Sequence, residues 1–301
     1  MLYPIFAFVL LMITVAALFG PRFVGQFMAW QETERLLAAG ADPQHVNPPA
    51  QKESFSGKLS SAWAFNIING AGQIGHAPSF HNTTVMLDDG LIITQHPDPD
   101  FEQESPAPGQ PASPRYNNAT LIGFQGYQPI PGEDVIFQAR MQVSPYFYGS
   151  AGFMLQPQGT ILPDGSFKGR FGNGAFSLFG IGFIGPESSL FGKNGVTVQK
   201  VINWWPTEVQ TLDVDMYQLH TYQLRLHWVD QKNWLGITSV DGKTVSSMNL
   251  PPLGPLEVHL WGDNYLLRSS WQGVPGIGFQ NGPDKFIRFE EVSAWTEKTA
   301  E

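Results

Sequence analysis

The sequence predicts an all-β domain, a two-sheet sandwich, preceded by an N-terminal transmembrane helix. Three observations carry this reading. Short runs of alternating apolar and polar residues recur from about Phe55 onward, 32 Gly and 24 Pro supply turns between them, and a 13% aromatic share suits a core filled by Phe and Trp. The 301 residues have room for one large β domain or two ordinary ones; one is preferred, because the pattern from Phe55 is β throughout and no internal repeat is evident. Convincing helical periodicity is confined to the N-terminal region.

Composition excludes several function classes. A net charge of −9 with a pI near 5.2 offers no clustered cationic surface for phosphates, so nucleic acid is not an expected partner. The absence of cysteine removes disulfides, thiolate zinc sites and cysteine nucleophiles, and leaves the compartment open.

The first element in chain order is apolar. Residues 1–21 carry no charge, and residues 2–20 are almost wholly apolar. At about 1.5 Å per residue that stretch makes a helix of roughly 28 Å, close to a bilayer's hydrocarbon thickness. An uncleaved membrane anchor is the preferred reading. A cleaved signal peptide is the alternative, opposed by the missing basic n-region and a merely passable Val15-Ala16-Ala17 cleavage site; a buried soluble helix is the third. Arg22 is the only nearby fixed cation and gives the positive-inside rule little to act on. The C-terminal domain is expected outside the cytoplasm, or secreted if the segment is cleaved.

Residues 22–39 place Phe23, Phe27 and Trp30 at i, i+4 and i+7, with Leu37 one heptad on, and Gln31, Glu32, Glu34 and Arg35 mostly elsewhere. This is the pattern of an amphipathic helix continuing from the membrane. Gly40 stops it. The polar, proline-bearing residues that follow, to residue 54, read as a linker to a sandwich domain over residues 55–297.

Within that domain residues 91–94 form a short strand, and the acidic, proline-rich residues 96–115 form a long exposed loop. Residues 135–143 alternate as a half-buried antiparallel strand, while residues 174–184 are apolar on both faces, as a covered central strand is. The clearest signal is residues 220–243. Tyr222, Leu224, Leu226 and Trp228 share one face opposite Gln223, Arg225 and His227; residues 234–240 make a second β run; and Asp241-Gly242 supplies a hairpin turn. Further on, Leu256, Val258 and Leu260 alternate with Glu257, His259 and Trp261, and residues 286–295 make a final strand. A two-sheet sandwich fits this inventory.

Three segments in this order carry a family likeness: FQARMQVSPYFYGSAGFMLQP (137–157), HTYQLRLHW followed by VDGK (220–243), and LEVHLWGDN (256–264) near FIRFEEVSAW (286–295). Together they resemble the concanavalin A-like lectin and glucanase superfamily, as seen in glycoside hydrolase family 16 and its non-catalytic relatives. The likeness spans most of residues 55–297. It implies a jelly-roll sandwich with a curved sheet forming a groove that in this superfamily often holds carbohydrate. The family's catalytic signature is a strand reading E-x-D-x-x-E, or the same with one extra residue, whose carboxylates flank the glycosidic bond about 5 to 5.5 Å apart. Here the corresponding region reads GAFSLFGIGFIGPE, with no acid before Glu187. The signature is absent, so a binding groove without hydrolysis is the expected outcome.

Several constellations remain. Asp213 and Asp215 would share a face if they lay in a strand, with Cα atoms roughly 6.5 to 7 Å apart; with Glu187 they are the relocated carboxylates that a hydrolase or lyase reading requires. The ordinary reading of that pair is a solvated face or a cation site. The run from Gly180 to Gly185 matches G-x-G-x-x-G, but no helix or alternating β-α pattern follows, so close packing explains the glycines better. Trp204, Trp205, Trp261, Tyr265 and Trp271, with Tyr146, Phe147 and Tyr148, are candidates for a sugar-stacking platform as well as for core. Trp261-Gly262-Asp263-Asn264 is the best polar site, able to accept sugar hydroxyls or ligate calcium, or simply to turn the chain. His220, His227 and His259 lack metal-ligand spacing. Three functions follow: carbohydrate or polymer binding without other cofactors, glycoside chemistry by displaced acids, or a structural envelope protein docking a protein partner.

Overall fold

A computed structural model of the chain describes residues 23–57, 59–68, 74–75, 83–87, 89–95, 118–147, 149–158, 160–161, 167–168, 177–186, 193–263, 265–266, 274–275 and 283–299. These residues form a helix α1 over residues 23–39 and twenty strands. The first eight are β1 (Gln51–Glu53), β2 (Trp63–Ile68), β3 (Ile74–Gly75), β4 (Thr83–Leu87), β5 (Leu91–Gln95), β6 (Asn118–Tyr127), β7 (Glu133–Val143) and β8 (Ser150–Pro157). Then come β9 (Thr160–Ile161), β10 (Phe167–Lys168), β11 (Leu178–Ile184), β12 (Gly195–Ile202), β13 (Trp205–Thr211) and β14 (His220–Trp228). The last are β15 (Trp234–Val240), β16 (Lys243–Leu250), β17 (Leu256–Asp263), β18 (Tyr265–Leu266), β19 (Val274–Pro275) and β20 (Lys285–Lys298).

Two eight-stranded antiparallel sheets make the predicted sandwich. The first runs β16-β15-β14-β7-β20-β5-β4 with β1 added against β20, and the second runs β13-β12-β11-β8-β17-β6-β2-β3. The hairpin read from the sequence is formed: Tyr222, Leu224 and Leu226 are buried, and β15 returns to β16 through Asp241 and Gly242, both at positive φ (49° and 78°) as a type I′ turn requires. Between the sheets, alternate residues interlock. Phe183 of the second sheet meets Tyr222 of the first edge-on at 5.5 Å, and Tyr127 meets Phe137 likewise at 5.5 Å. The first sheet's outer face is polar and ion-paired: Arg225 and His227 reach Asp134 at 3.0 and 2.8 Å, and Arg140 reaches Glu290 at 2.8 Å.

The amphipathic helix forms, but its apolar stripe does not dock. Gly25, Ala29, Glu32 and Leu36 pack onto the sandwich, with the Trp205 ring against the Gly25 backbone, whereas Phe23, Phe27 and Trp30 face outward. Gly40 ends the helix at φ 63°, its N–H donating to Leu36 O at 3.0 Å. The stretch expected as a linker is instead held along the sandwich, because its polar groups find backbone partners. His45 Nε2 bonds Gly126 O at 2.7 Å, Asn47 Nδ2 donates to Gln128 O at 2.9 Å, and Tyr127 OH donates to Pro49 O at 2.7 Å before β1 joins β20. The apolar residues 2–20 and residues 96–115, expected as a loop, lie outside the described residues; among those described, no helix is long and apolar enough to cross a membrane.

Candidate functional site

The second sheet has a buried outer face, and β17 is its spine. Leu256, Val258, Leu260 and Gly262 of this strand face the core, leaving Glu257, His259, Trp261 and Asp263 on the side turned away. Register extends that alternation into rows. His259 lies opposite Met154 of β8, Met154 opposite Gly180 of β11, and Gly180 opposite Gln199 of β12. In the next row Trp261 lies opposite Gly152, then Gly182, then Thr197, and Glu257 lies opposite Gln156.

The glycines of these rows are filled by their neighbours. A Cβ on Gly152, at φ 151°, would strike Ile181 O and come within 2.9 Å of Trp261 Cη2, so the indole lies directly over the strand. One on Gly180 would sit 2.6 Å from Met154 Cβ, and one on Gly182 would meet the Gln199 amide. Met154, Leu178, Val201 and Trp261 form a small apolar cluster here, separate from the main core. Polar groups knit the rest. Trp261 Nε1 donates to Ser150 Oγ at 3.2 Å and Ser150 Oγ to Asp263 Oδ1 at 2.8 Å. Gln199 Nε2 donates to Thr197 Oγ1 at 2.8 Å, which donates to Gly182 O at 3.0 Å. His259 Nε2 pairs with Glu257 Oε1 at 2.7 Å, and Gln125 Nε2 donates to Glu257 Oε2 at 3.2 Å. Trp261 is 8% exposed, and Glu257 and His259 1% each, so the face is covered as well as furnished.

Solved structures share this architecture. The endo-β-1,3-glucanase from Pyrococcus furiosus superposes with a TM-score of 0.52 at 13% identity, covering 86% of this chain and 100% of that one. The catalytic domain of an endo-1,3-β-glucanase (laminarinase) from Thermotoga petrophila RKU-1 gives 0.50 at 14% identity, over 86% and 99%. The chain has the concanavalin A-like lectin and glucanase fold. No protein-family profile matches the sequence, and comparison with curated proteins finds no match.

On this concanavalin A-like sandwich the chemical options are narrow. Strand β11 carries the segment that the likeness makes the place of the acid triplet, and its outward residues are Leu178, Gly180, Gly182 and Ile184, none able to attack or protonate a glycosidic bond. The carboxylates that β17 brings to this face, Glu257 and Asp263, are six residues apart on one strand, roughly 20 Å. Glycosidase carboxyl pairs stand about 5 to 9.5 Å apart. Both acids are already hydrogen-bonded, to His259 and Gln125 and to Ser150.

The residues singled out from the sequence scatter. Trp261 and Asp263 stand on the outer face, side by side with Ser150. Asp213 and Asp215 correct the expectation of a shared strand face, since both lie in the connection between β13 and β14, exposed. Asp215 shapes a turn there, accepting from Tyr217 N and Gln218 Nε2 at 3.0 Å each. Trp205 faces the core under Gly25, and Trp204 is exposed beside α1, where Asn203 Nδ2 donates to Met28 O at 3.3 Å. Neither joins Trp261. Tyr146 is exposed, with Lys285 Nζ 5.6 Å from its ring, and Phe147 belongs to the main core. Glu187, Asn264, Tyr148, Trp271 and the side chain of Tyr265 lie outside the described residues. His220 and His227 pair with Asp241 and Asp134 on the first sheet, and among the described residues no three His, Cys, Asp or Glu converge on a metal position. Glu257, His259 (weighed only as a metal ligand), Gln156 and Gln199 are not among the residues singled out for this face. The alternation on β17 already put the first two on Trp261's face; the glutamines become neighbours only once strand order is known.

Proposed function

We propose that this chain is a membrane-anchored, extracytoplasmic sandwich that binds carbohydrate without hydrolysing it. The observation that carries the reading is the outer face of the second sheet. Leu178, Gly180, Gly182 and Ile184 occupy the strand where the family likeness sets its acids, while Trp261, 8% exposed and braced by Ser150 and Asp263, places an aromatic ring beside hydrogen-bonding groups. Residues 2–20 would provide the anchor, and Asp263 with Asn264 would be the first ligands if calcium takes part. The second reading, a structural envelope protein docking a protein partner, draws on the covered state of this face and on the exposed aromatic stripe of α1. Relocated catalysis would need Asp213, Asp215 or Glu187, two of which stand exposed at a turn.

A glycan-array screen of the full-length protein in nanodiscs, with and without calcium, separates these. Saturable binding that Trp261→Ala abolishes, with its circular dichroism unchanged, supports the binding reading. Failure of the folded protein to bind any glycan moves the function to protein docking. Turnover of an array glycan, lost on replacing Asp213 or Asp215, would establish the hydrolase instead.

A further inference from the structure

The outward face of α1 changes character part-way along. Its docked stripe is Gly25, Ala29, Glu32 and Leu36, and opposite that stripe the first two turns expose Phe23 (68%), Phe27 (54%) and Trp30 (56%), with the Phe27 and Trp30 rings 5.7 Å apart. From residue 31 the exposed positions of the helix are Gln31, Glu34, Arg35, Ala38 and Ala39. The turn between β12 and β13 adds Trp204, 55% exposed, at the aromatic end of the helix, where Asn203 contacts Met28 O and Trp205 lies against Gly25. At the polar end, Ala41 N donates to Gln231 O at 2.8 Å, so the helix runs from the 203–205 turn of the second sheet to the 229–233 turn of the first. At about 1.5 Å per residue it spans about 25 Å.

We infer that this aromatic end, Phe23, Phe27, Trp30 and Trp204, sits in the interfacial layer of a lipid bilayer and sets the orientation of the sandwich on the membrane. Two features choose lipid over a second copy of the chain or a protein. The patch begins where the charge-free, apolar residues 2–20 end, three positions from Gly20, and its members are the Trp and Phe side chains that settle at headgroup level. The switch to Gln31, Glu34 and Arg35 then marks where the helix leaves the apolar layer, so it enters at an angle with its far end in water. Since none of these four side chains is charged, their insertion does not need anionic lipid and does not weaken with salt. The inference deepens the anchored reading of residues 2–20, and it is separate from glycan binding.

The chain contains no cysteine, so single-cysteine labelling is clean. Full-length Phe27→Cys, Trp204→Cys, Glu34→Cys and Val229→Cys, each carrying an environment-sensitive fluorophore, are reconstituted into phosphatidylcholine vesicles with and without doxyl-labelled lipid. Labels at 27 and 204 should show blue-shifted emission lost to doxyl lipid at both 50 and 500 mM salt, and labels at 34 and 229 should stay quenchable by aqueous iodide. Vesicle-bound protein with water-exposed labels at 27 and 204 overturns the inference while leaving the anchor standing. Protein that does not float with vesicles overturns both. Disulfide cross-linking between copies through Phe27→Cys, with no lipid quenching, assigns the patch to self-association and also overturns it.

Discussion

Gly152 is the position where backbone, outer face and candidate ligand surface depend on a single missing methyl group, and Gly152→Ala tests that dependence. Its φ of 151° lies where residues other than glycine are strained by about 1–3 kcal/mol. The added Cβ would also strike Ile181 O, a backbone atom held in the β8–β11 ladder, and stand 3.1 Å from Gly182 Cα. Such overpacking against an atom that cannot swing away costs about 1–3 kcal/mol more. The expected loss is therefore about 2–6 kcal/mol, a large part of the roughly 5–15 kcal/mol typical of a domain. In urea unfolding followed by tryptophan fluorescence, a slope of about 3 kcal/mol/M turns this into a midpoint lowered by about 0.7–2 M. Gly182→Ala is the control, because its Cβ would crowd the side-chain amide of Gln199 and otherwise meet nothing closer than 3.4 Å. That cost should stay under about 1.5 kcal/mol, part of it recovered because alanine loses less backbone entropy than glycine. A Gly152→Ala protein within about 1 kcal/mol of wild type, or a Gly182→Ala protein as unstable as it, would refute the packing argument.

Three further outcomes are expected. His259→Leu leaves the buried Glu257 carboxylate without its imidazole and should cost about 3–5 kcal/mol, while the double Glu257→Leu/His259→Leu should cost less than the two single changes together; a double-mutant cycle in urea measures this. Hydrogen bonds from Thr221 N and His220 hold the Asp241 carboxyl below its ordinary range, against a smaller opposing effect of burial. Its stabilisation is therefore present above the unfolded-state value, about pH 4, and is lost as pH falls through the lower folded value. Because that carboxylate is half exposed, Asp241→Asn should cost under about 1 kcal/mol at pH 7 and flatten the acid limb of stability against pH. Finally, Gly25→Val drives a side chain into the Trp205 ring, so limited proteolysis should cut within residues 23–39 while the sandwich keeps its β signature.

Much of the fold was readable because strand burial has a period of two and the chain writes it plainly. The 220–243 hairpin, the doubly apolar β11 and the two-faced β17 all stand where alternation puts them. Alternation misled at Asp213 and Asp215, where the spacing in TLDVD imitates a strand. The Asp215 carboxylate accepts from Tyr217 N and Gln218 Nε2, stabilising a turn, and no periodicity registers that local competition. On α1 the bulky stripe was visible, yet the docked stripe is built from Gly25 and Ala29, whose small size allows close approach and leaves no hydropathy signal. The arrangement of the candidate face was half readable. Alternation along one strand puts Trp261 and Asp263 on a common face, whereas the row His259, Met154, Gly180, Gln199 joins four strands whose order is a property of the whole sheet.

That row also decides where along β11 an acid can be introduced. At Gly180 a Cβ would lie 2.6 Å from Met154 Cβ and 2.8 Å from Phe153 O, so no carboxylate stem can leave the backbone there without moving β8. Gly180→Glu should cost more than about 3 kcal/mol. Gly182 is different, because a movable amide is what stands closest in its way. Gly182→Glu with Gln199→Ala should fold, placing one carboxylate on the outer face of β11. It should nevertheless remain inert toward β-glucans in a reducing-sugar assay. Retaining hydrolysis needs a second carboxyl about 5 to 5.5 Å away, and the only same-face positions next to 182 on this strand are the closed 180 and the apolar Ile184. Activity in that double variant would mean that an acid from another strand already reaches the position, and the non-hydrolytic reading of the sandwich would fall with it.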